Sequence, residues 1–156
     1  MFDDQYLYWG EANTGRIQRV AKAGGTIMDI RSQDPGNTVL GRLEGANLYL
    51  VMYGDVALTS TLNQMPKSGG ATTTLATALE RPVDFAITGD AVYWLAPGDR
   101  ASTGGSLLKM SKADGTPISK VLTRNPYELA LDAQYVYWIE GADLGVSNGR
   151  ILRIAR

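Results

Sequence analysis

The chain contains no cysteine and no histidine. The first absence removes disulfides and thiolate ligands, and the second removes imidazole, so zinc or iron sites built on sulfur or nitrogen are excluded. Losing histidine also removes the commonest general base and the usual activator of a serine nucleophile. A cysteine-free chain suits a reducing or an oxidising compartment equally, and localisation stays open. Charge of one sign is missing too: Lys+Arg number 15 and Asp+Glu 16, for a formal net charge of −1. That offers no electrostatic case for nucleic acid or an anionic membrane. No apolar run approaches the ~18 residues of a transmembrane helix. The opening Met1-Phe2-Asp3-Asp4-Gln5 has neither a basic nor an apolar region, so no secretory signal is expected in this sequence. No segment sustains an apolar stripe of helical period, so almost no helix is expected.

What the chain does have is turn residues and a repeat. Glycine numbers 18, suited to many tight turns. Tyr8-Trp9, Tyr93-Trp94 and Tyr137-Trp138 recur, with a degenerate copy at Tyr49-Leu50. Positions 9, 50, 94 and 138 are 41, 44 and 44 residues apart, and a second landmark, Lys22, Lys67, Lys112 and Arg156, keeps the same pace at 45, 45 and 44. Two independent landmarks with one period mean a structural repeat, and a period of about 40–50 residues with several short strands is that of a β-propeller blade. The units run about 1–36, 37–80, 81–124 and 125–156.

The third unit shows the pattern best. Val83–Thr88 alternates and ends at the turn Gly89-Asp90, and Ala91–Leu95 is a strand of β-formers. After a loop, Gly105–Ser111 is a third strand, Lys112-Ala113-Asp114-Gly115-Thr116 a tight turn, and Ile118–Thr123 a fourth strand. Counting through the chain predicts about fourteen strands. The chain opens at the second strand of one blade and stops after the third strand of another, with two complete four-stranded blades between. The predicted fold is therefore all-β, three and a half to four propeller blades forming an incomplete ring. An open arc would leave apolar faces in water. The chain is then either part of a larger propeller or half of a homodimer that closes the ring.

The runs Asp-x-x-Tyr-Trp, Gly-x-Ile-x-Arg-Val/Ile and Lys-x-Gly-Gly/Asp-Gly-Thr resemble the YWTD propeller repeats of low-density-lipoprotein-receptor-like proteins, and more closely their bacterial relatives. The family's Thr after Trp is replaced here by Gly10, Leu95 and Ile139, and the following Asp by Glu11, Glu140 and Ala96. The resemblance implies a non-catalytic scaffold that binds a protein or peptide across one face, with no cofactor.

Three sets of residues are candidates. The Tyr-Trp pairs fit a role in packing between adjacent blades better than one as stacking platforms, because they recur at a fixed register. Asp84 and Glu128 share one register position at the head of the innermost strand, with Asp132 further along, and carboxylates lining a channel are the ligands calcium or magnesium would need. A metal-dependent, lactonase-like hydrolase is the alternative built on them. The loop face is the third set. The strand 2–3 loops bring Glu11, Asn13, Asp55, Asp99, Arg100, Glu140, Asp143 and Asn148, and the blade-to-blade loops bring Glu80, Arg81, Arg124, Asn125 and Tyr127. Loops on a rigid scaffold are where binding concentrates. A third reading is a fragment whose only property is repeat stacking. Pro82 and Pro126, at one register position, are expected to fix the entry into the inner strand.

Overall fold

The computed structural model describes residues 1–11, 14–31, 37–53, 59–97, 104–141 and 148–156, which hold fourteen strands and no helix. They form four antiparallel sheets, each of consecutive strands. The first is β1 (Tyr6–Gly10), β2 (Ile17–Ala21) and β3 (Met28–Arg31), and the second is β4 (Asn37–Glu44), β5 (Asn47–Tyr53), β6 (Ser60–Pro66) and β7 (Thr73–Leu79). The third is β8 (Asp84–Ile87), β9 (Ala91–Ala96), β10 (Gly105–Ser111) and β11 (Pro117–Thr123), and the fourth is β12 (Pro126–Leu131), β13 (Tyr135–Glu140) and β14 (Arg150–Ala155). Three, four, four and three strands is the division the repeat predicts. The chain separates into two compact units, Met1–Leu79 and Glu80–Arg156.

The second sequence landmark has a plain backbone role. The amides of Lys22, Lys67, Lys112 and Arg156 donate to the carbonyls of Gln5, Ala46, Asp90 and Gln134, at 2.8, 2.9, 2.9 and 3.0 Å. Each acceptor stands three residues before the tyrosine of its unit. The bond joins the end of the third strand to the turn before the second, so the 44–45-residue spacing is held by the ladder itself. The turn before the second strand is also closed alike. Asp3 accepts from the amide of Tyr6 (2.9 Å) and the Tyr8 hydroxyl (2.9 Å), and Asp132 accepts from the amide of Tyr135 (2.7 Å) and the Tyr137 hydroxyl (2.7 Å). In the third sheet Thr88 takes the aspartate's place, its hydroxyl accepting from the Ala91 amide at 3.0 Å.

In the first unit, Tyr8, Ile17 and Ile30 pack with Leu48, Leu50 and Met65 of the second sheet. The chain start adds a piece not expected from the sequence. Met1 and Tyr8 exchange two backbone hydrogen bonds, at 2.9 and 3.0 Å, so residue 1 already lies in the place of an inner strand. The Met1 side chain fills the space above Gly41, whose register equivalent in the third sheet is Phe85. Lys67 adds an ion pair to Asp3 at 2.8 Å, and its carbonyl accepts from the Arg19 guanidinium at 2.9 Å.

The second unit is built the same way. Ala86, Ala91, Tyr93, Leu95 and Leu107 of the third sheet pack against Leu129, Val136 and Trp138 of the fourth. Every residue of β9 is buried, whereas β13 buries only Val136, Trp138 and Glu140 and turns Tyr135, Tyr137 and Ile139 the other way. Tyr8 faces the second sheet, Tyr93 the fourth and Trp138 the third, so these three are core residues. Fully burying a leucine or isoleucine of these clusters, such as Leu95 or Ile17, contributes about 1.5–3 kcal/mol.

Candidate interaction surface

The link from β11 to β12, Thr123-Arg124-Asn125-Pro126-Tyr127, carries four of the residues expected on the loop face or beside it. Asn125 has φ 40°, and Arg81, its equivalent before Pro82, has φ 30°. A residue ahead of proline is normally extended. The left-handed turn at this position is therefore imposed by the fold, at a local cost of order 1–3 kcal/mol. Asparagine tolerates that region better than arginine does. Pro126 is buried, which matches the structural role assigned to it.

What holds the link is Glu140. Its Oε1 accepts from the Thr123 hydroxyl at 2.6 Å and the Arg124 amide at 3.0 Å, and its Oε2 accepts from the Arg150 guanidinium at 2.5 Å. The Trp138 indole N–H donates to the same Thr123 hydroxyl at 3.0 Å. Burial is the largest influence on this carboxyl and pushes its pKa up. The hydroxyl, the guanidinium and the amide together outweigh it, and the group lies below the ordinary glutamate value. Glu140, expected as a loop-face ligand, is thus a buried brace: its residue is 4 % exposed and its oxygens are occupied within the chain.

Around the brace lies an exposed group. Arg124, Asn125, Tyr127 and Arg150 are all exposed, and the Tyr127 ring lies over Gly141, where any side chain would overlap it. Gly141 also donates its amide to the Asn125 carbonyl at 2.9 Å. Glu80 and Arg81 are exposed at the equivalent link into the third sheet. The arrangement offers an aromatic face, two guanidinium groups and an amide on a fixed backbone, suited to carboxylate and carbonyl groups of a polypeptide. Asn13, Asp55, Asp99, Arg100 and Asp143 lie outside the described residues.

The three acidic residues expected along the inner strand are not brought together. Asp84 is buried, and its oxygens accept from the amides of Phe85 and Leu129, both at 2.8 Å. It ties β8 to β12 instead of lining an open channel. Glu128 is exposed. Asp132 closes the turn after β12, four residues further along an extended strand, or roughly 13 Å. Its Tyr137 hydroxyl bond and two turn amides lower its pKa. No group of three or more acidic residues able to hold a metal occurs among the described residues.

Sequence reasoning missed Thr123 and Arg150, the partners of Glu140. The signal for Arg150 was present as Trp138-x-Glu140 followed by Gly149-Arg150-Ile151, which repeats Trp9-x-Glu11 followed by Gly15-Arg16-Ile17, whereas Thr123 arrives from the preceding sheet and is not part of that pattern.

No protein-family model matches the chain, and no curated protein matches it. Solved structures do. A chain from a crystal structure of a nidogen–laminin complex superposes with a TM-score of 0.70 at 12 % identity, covering 87 % of this chain and 51 % of that one. The putative TolB of Agrobacterium tumefaciens gives a TM-score of 0.64 at 12 % identity, covering 97 % of this chain and 54 % of that one. Both are β-propellers, and at this identity the likeness shows the fold alone: all-β, made of propeller blades. The chain spans about half the length of the two structures it matches.

Proposed function

We propose that this chain is a propeller interaction scaffold without catalytic activity, of the bacterial YWTD-like kind, that binds a protein or peptide through the loop face around Tyr127. The observation that carries the reading is the exposed group Arg124, Asn125, Tyr127 and Arg150, set on a link whose backbone is locked by Glu140. An aromatic ring flanked by arginines is the composition of an interface anchor. The neighbour from the nidogen–laminin structure, a propeller found in a complex of two proteins, supports the same reading by analogy of fold.

The test is selection of peptides from a displayed library on the immobilised chain, followed by titration of the selected peptides against variants. Tyr127→Ala and Arg124→Ala are expected to weaken them at least tenfold, while Leu122→Ala, at a side chain 81 % exposed beside the same link, leaves them unchanged. Equal binding by all three variants would refute the loop-face assignment. The non-catalytic half has its own test. Lactone hydrolysis above background, together with a rise in melting temperature on adding calcium or magnesium, would replace this reading by the metal-dependent hydrolase.

A further inference from the structure

Of the asparagines spread along the chain, Asn148 alone is followed by glycine. Asparagine is a thermolabile residue, because the main-chain nitrogen of the next residue can attack its side-chain carbonyl carbon. Two things slow that attack. A side chain on the next residue crowds the nitrogen, and strand pairing or a turn hydrogen bond fixes the main chain. Glycine removes the first obstacle.

The fold sorts the candidates by the second. Asn63 is 4 % exposed within β6, and its side-chain amide is held at both ends, donating to the Thr61 hydroxyl at 2.7 Å and accepting from the Thr74 hydroxyl at 2.8 Å. Asn37 and Asn47 open β4 and β5 and precede the branched Thr38 and the fully buried Leu48. Asn125 precedes Pro126, which has no N–H to lose. The one Asp-Gly pair, Asp114-Gly115, is open to the same attack, but its Gly115 amide donates to the Ser111 carbonyl at 3.0 Å. Asn148 and Gly149 are both exposed and lie ahead of β14, which begins at Arg150. Among the described residues, no ladder or turn hydrogen bond holds the Gly149 amide. The pair sits on the connection between two strands of one sheet, not along an open edge.

Its neighbourhood gives the reaction a consequence. Arg150, two residues on, bonds the Glu140 carboxylate that braces the β11–β12 link. The Glu140–Arg150 pairing is also where the β13–β14 ladder ends. We propose that Asn148-Gly149 is a self-modification site that places a new carboxylate beside the Arg150–Glu140 ion pair. The Gly149 nitrogen bonds to the Asn148 side-chain carbonyl carbon, its proton leaves with the amide group as ammonia, and a succinimide ring closes. Water then opens the ring on either side, giving aspartate or isoaspartate. No oxidant, metal or enzyme is required. Either product sets a second anion in competition with Glu140 for the guanidinium, and isoaspartate also lengthens the main chain by a methylene just ahead of β14. The inference rests on main-chain chemistry and not on the loop face as a binding surface, so either stands if the other fails.

The test is ageing of the whole purified chain in mildly alkaline buffer against a fresh sample. Trypsin releases residues 125–150 as one peptide holding Asn125 and Asn148. Electron-transfer fragmentation of that peptide locates the amide-to-acid mass gain and separates aspartate from isoaspartate. The expected result is conversion at Asn148 at least tenfold faster than at Asn47, Asn63 or Asn125, and no acidic form by ion exchange in Asn148→Gln. Conversion at Asn148 no faster than at the others, or an acidic form that accumulates equally in Asn148→Gln, overturns the site. The aged parent is expected to unfold at lower urea than the fresh parent, while aged Asn148→Gln keeps its midpoint. An unchanged midpoint in fully converted chain overturns the effect on the brace.

Discussion

Thr123→Val tests whether the brace at Glu140 is what holds the fourth sheet to the third. The change keeps the shape of the side chain and removes one hydroxyl. Two interactions go with it: the 2.6 Å bond to a buried carboxylate and the 3.0 Å bond from the Trp138 indole. A hydrogen bond to a charged group contributes about 1.5–3 kcal/mol. The indole N–H, buried with residue 138 only 3 % exposed, is left without its acceptor at a further cost of about 1 kcal/mol or more. The Glu140 carboxylate keeps the Arg124 amide and Arg150, which limits the damage. The sum is a destabilisation of about 2–4 kcal/mol. Urea unfolding followed by tryptophan fluorescence reads it as a lower midpoint at constant slope. Thr123→Ser keeps the hydroxyl, loses one methyl group, and should cost no more than about 1 kcal/mol. In combination with Glu140→Gln, the valine variant should cost clearly less than the sum of the singles, because both act on one network. If Thr123→Val unfolds within ~0.5 kcal/mol of the parent, or serine is as damaging as valine, the hydroxyl is not the tie described.

Lys67→Met removes the ion pair to Asp3, leaving that carboxylate the amides of Gln5 and Tyr6 and the Tyr8 hydroxyl; a loss of about 1–2 kcal/mol is expected by urea unfolding, and the loss should be smaller when parent and variant are compared in 1 M salt, which weakens the pair in the parent. Asp3, held well below the ordinary aspartate range first by Lys67, and Glu140, also lowered, both bind protons more weakly folded than unfolded. Their stabilisation is therefore complete above the unfolded value of about 4 and is lost as pH falls through the folded values, so the urea midpoint should drop between about pH 5 and 2, and less steeply in Asp3→Asn/Glu140→Gln. Gly105→Ala places a methyl group 2.7 Å from Pro126 Cδ and 2.8 Å from the Ala96 carbonyl, and should cost about 1–3 kcal/mol. Gly89→Ala meets nothing within 4 Å and should stay within about 0.5 kcal/mol of the parent in the same assay.

The backbone architecture was legible because it depends on local, repeated signals. The Tyr-Trp strands, the Lys-x-Gly turns and their common spacing are all set by hydrogen bonds between neighbouring strands, and each reappears where the period puts it. The site was legible only as a list of loops. Whether a carboxylate at a loop is a ligand or a brace depends on what reaches it from elsewhere. Glu140 and Asp84 are braces because Thr123, 17 residues away, and the Leu129 amide, 45 residues away, arrive at their oxygens. Glu128 shares Asp84's register, but it lies on the exposed side of the fourth sheet and stays in solvent. Identity and register do not separate the two cases; the neighbouring sheet does.

Dependence on the neighbouring sheet also makes the Trp-x-Glu…Gly-Arg pattern informative where the Tyr-Trp pair is not. Every unit needs an aromatic or large aliphatic residue at the Tyr-Trp positions, since both sides of a blade's second strand require filling, and Tyr49-Leu50 serves as well as Tyr93-Trp94. The carboxylate two residues later is not required by packing: the second and third sheets have Met52 and Ala96 there, both buried. A buried carboxylate costs several kcal/mol unless it is fully bonded. It persists in the fourth sheet because Thr123, Arg124 and Arg150 bond it. Glu11 and Arg16 keep the same two residue types in the first sheet, where they lie 3.8 Å apart and partly exposed, Glu11 accepting from the Thr14 hydroxyl and Arg16 lying 3.8 Å from Asp29. That pair is a surface ion pair worth about 0–1 kcal/mol, and the same residue types become a brace only where a neighbouring sheet brings a hydroxyl and an amide to the carboxylate.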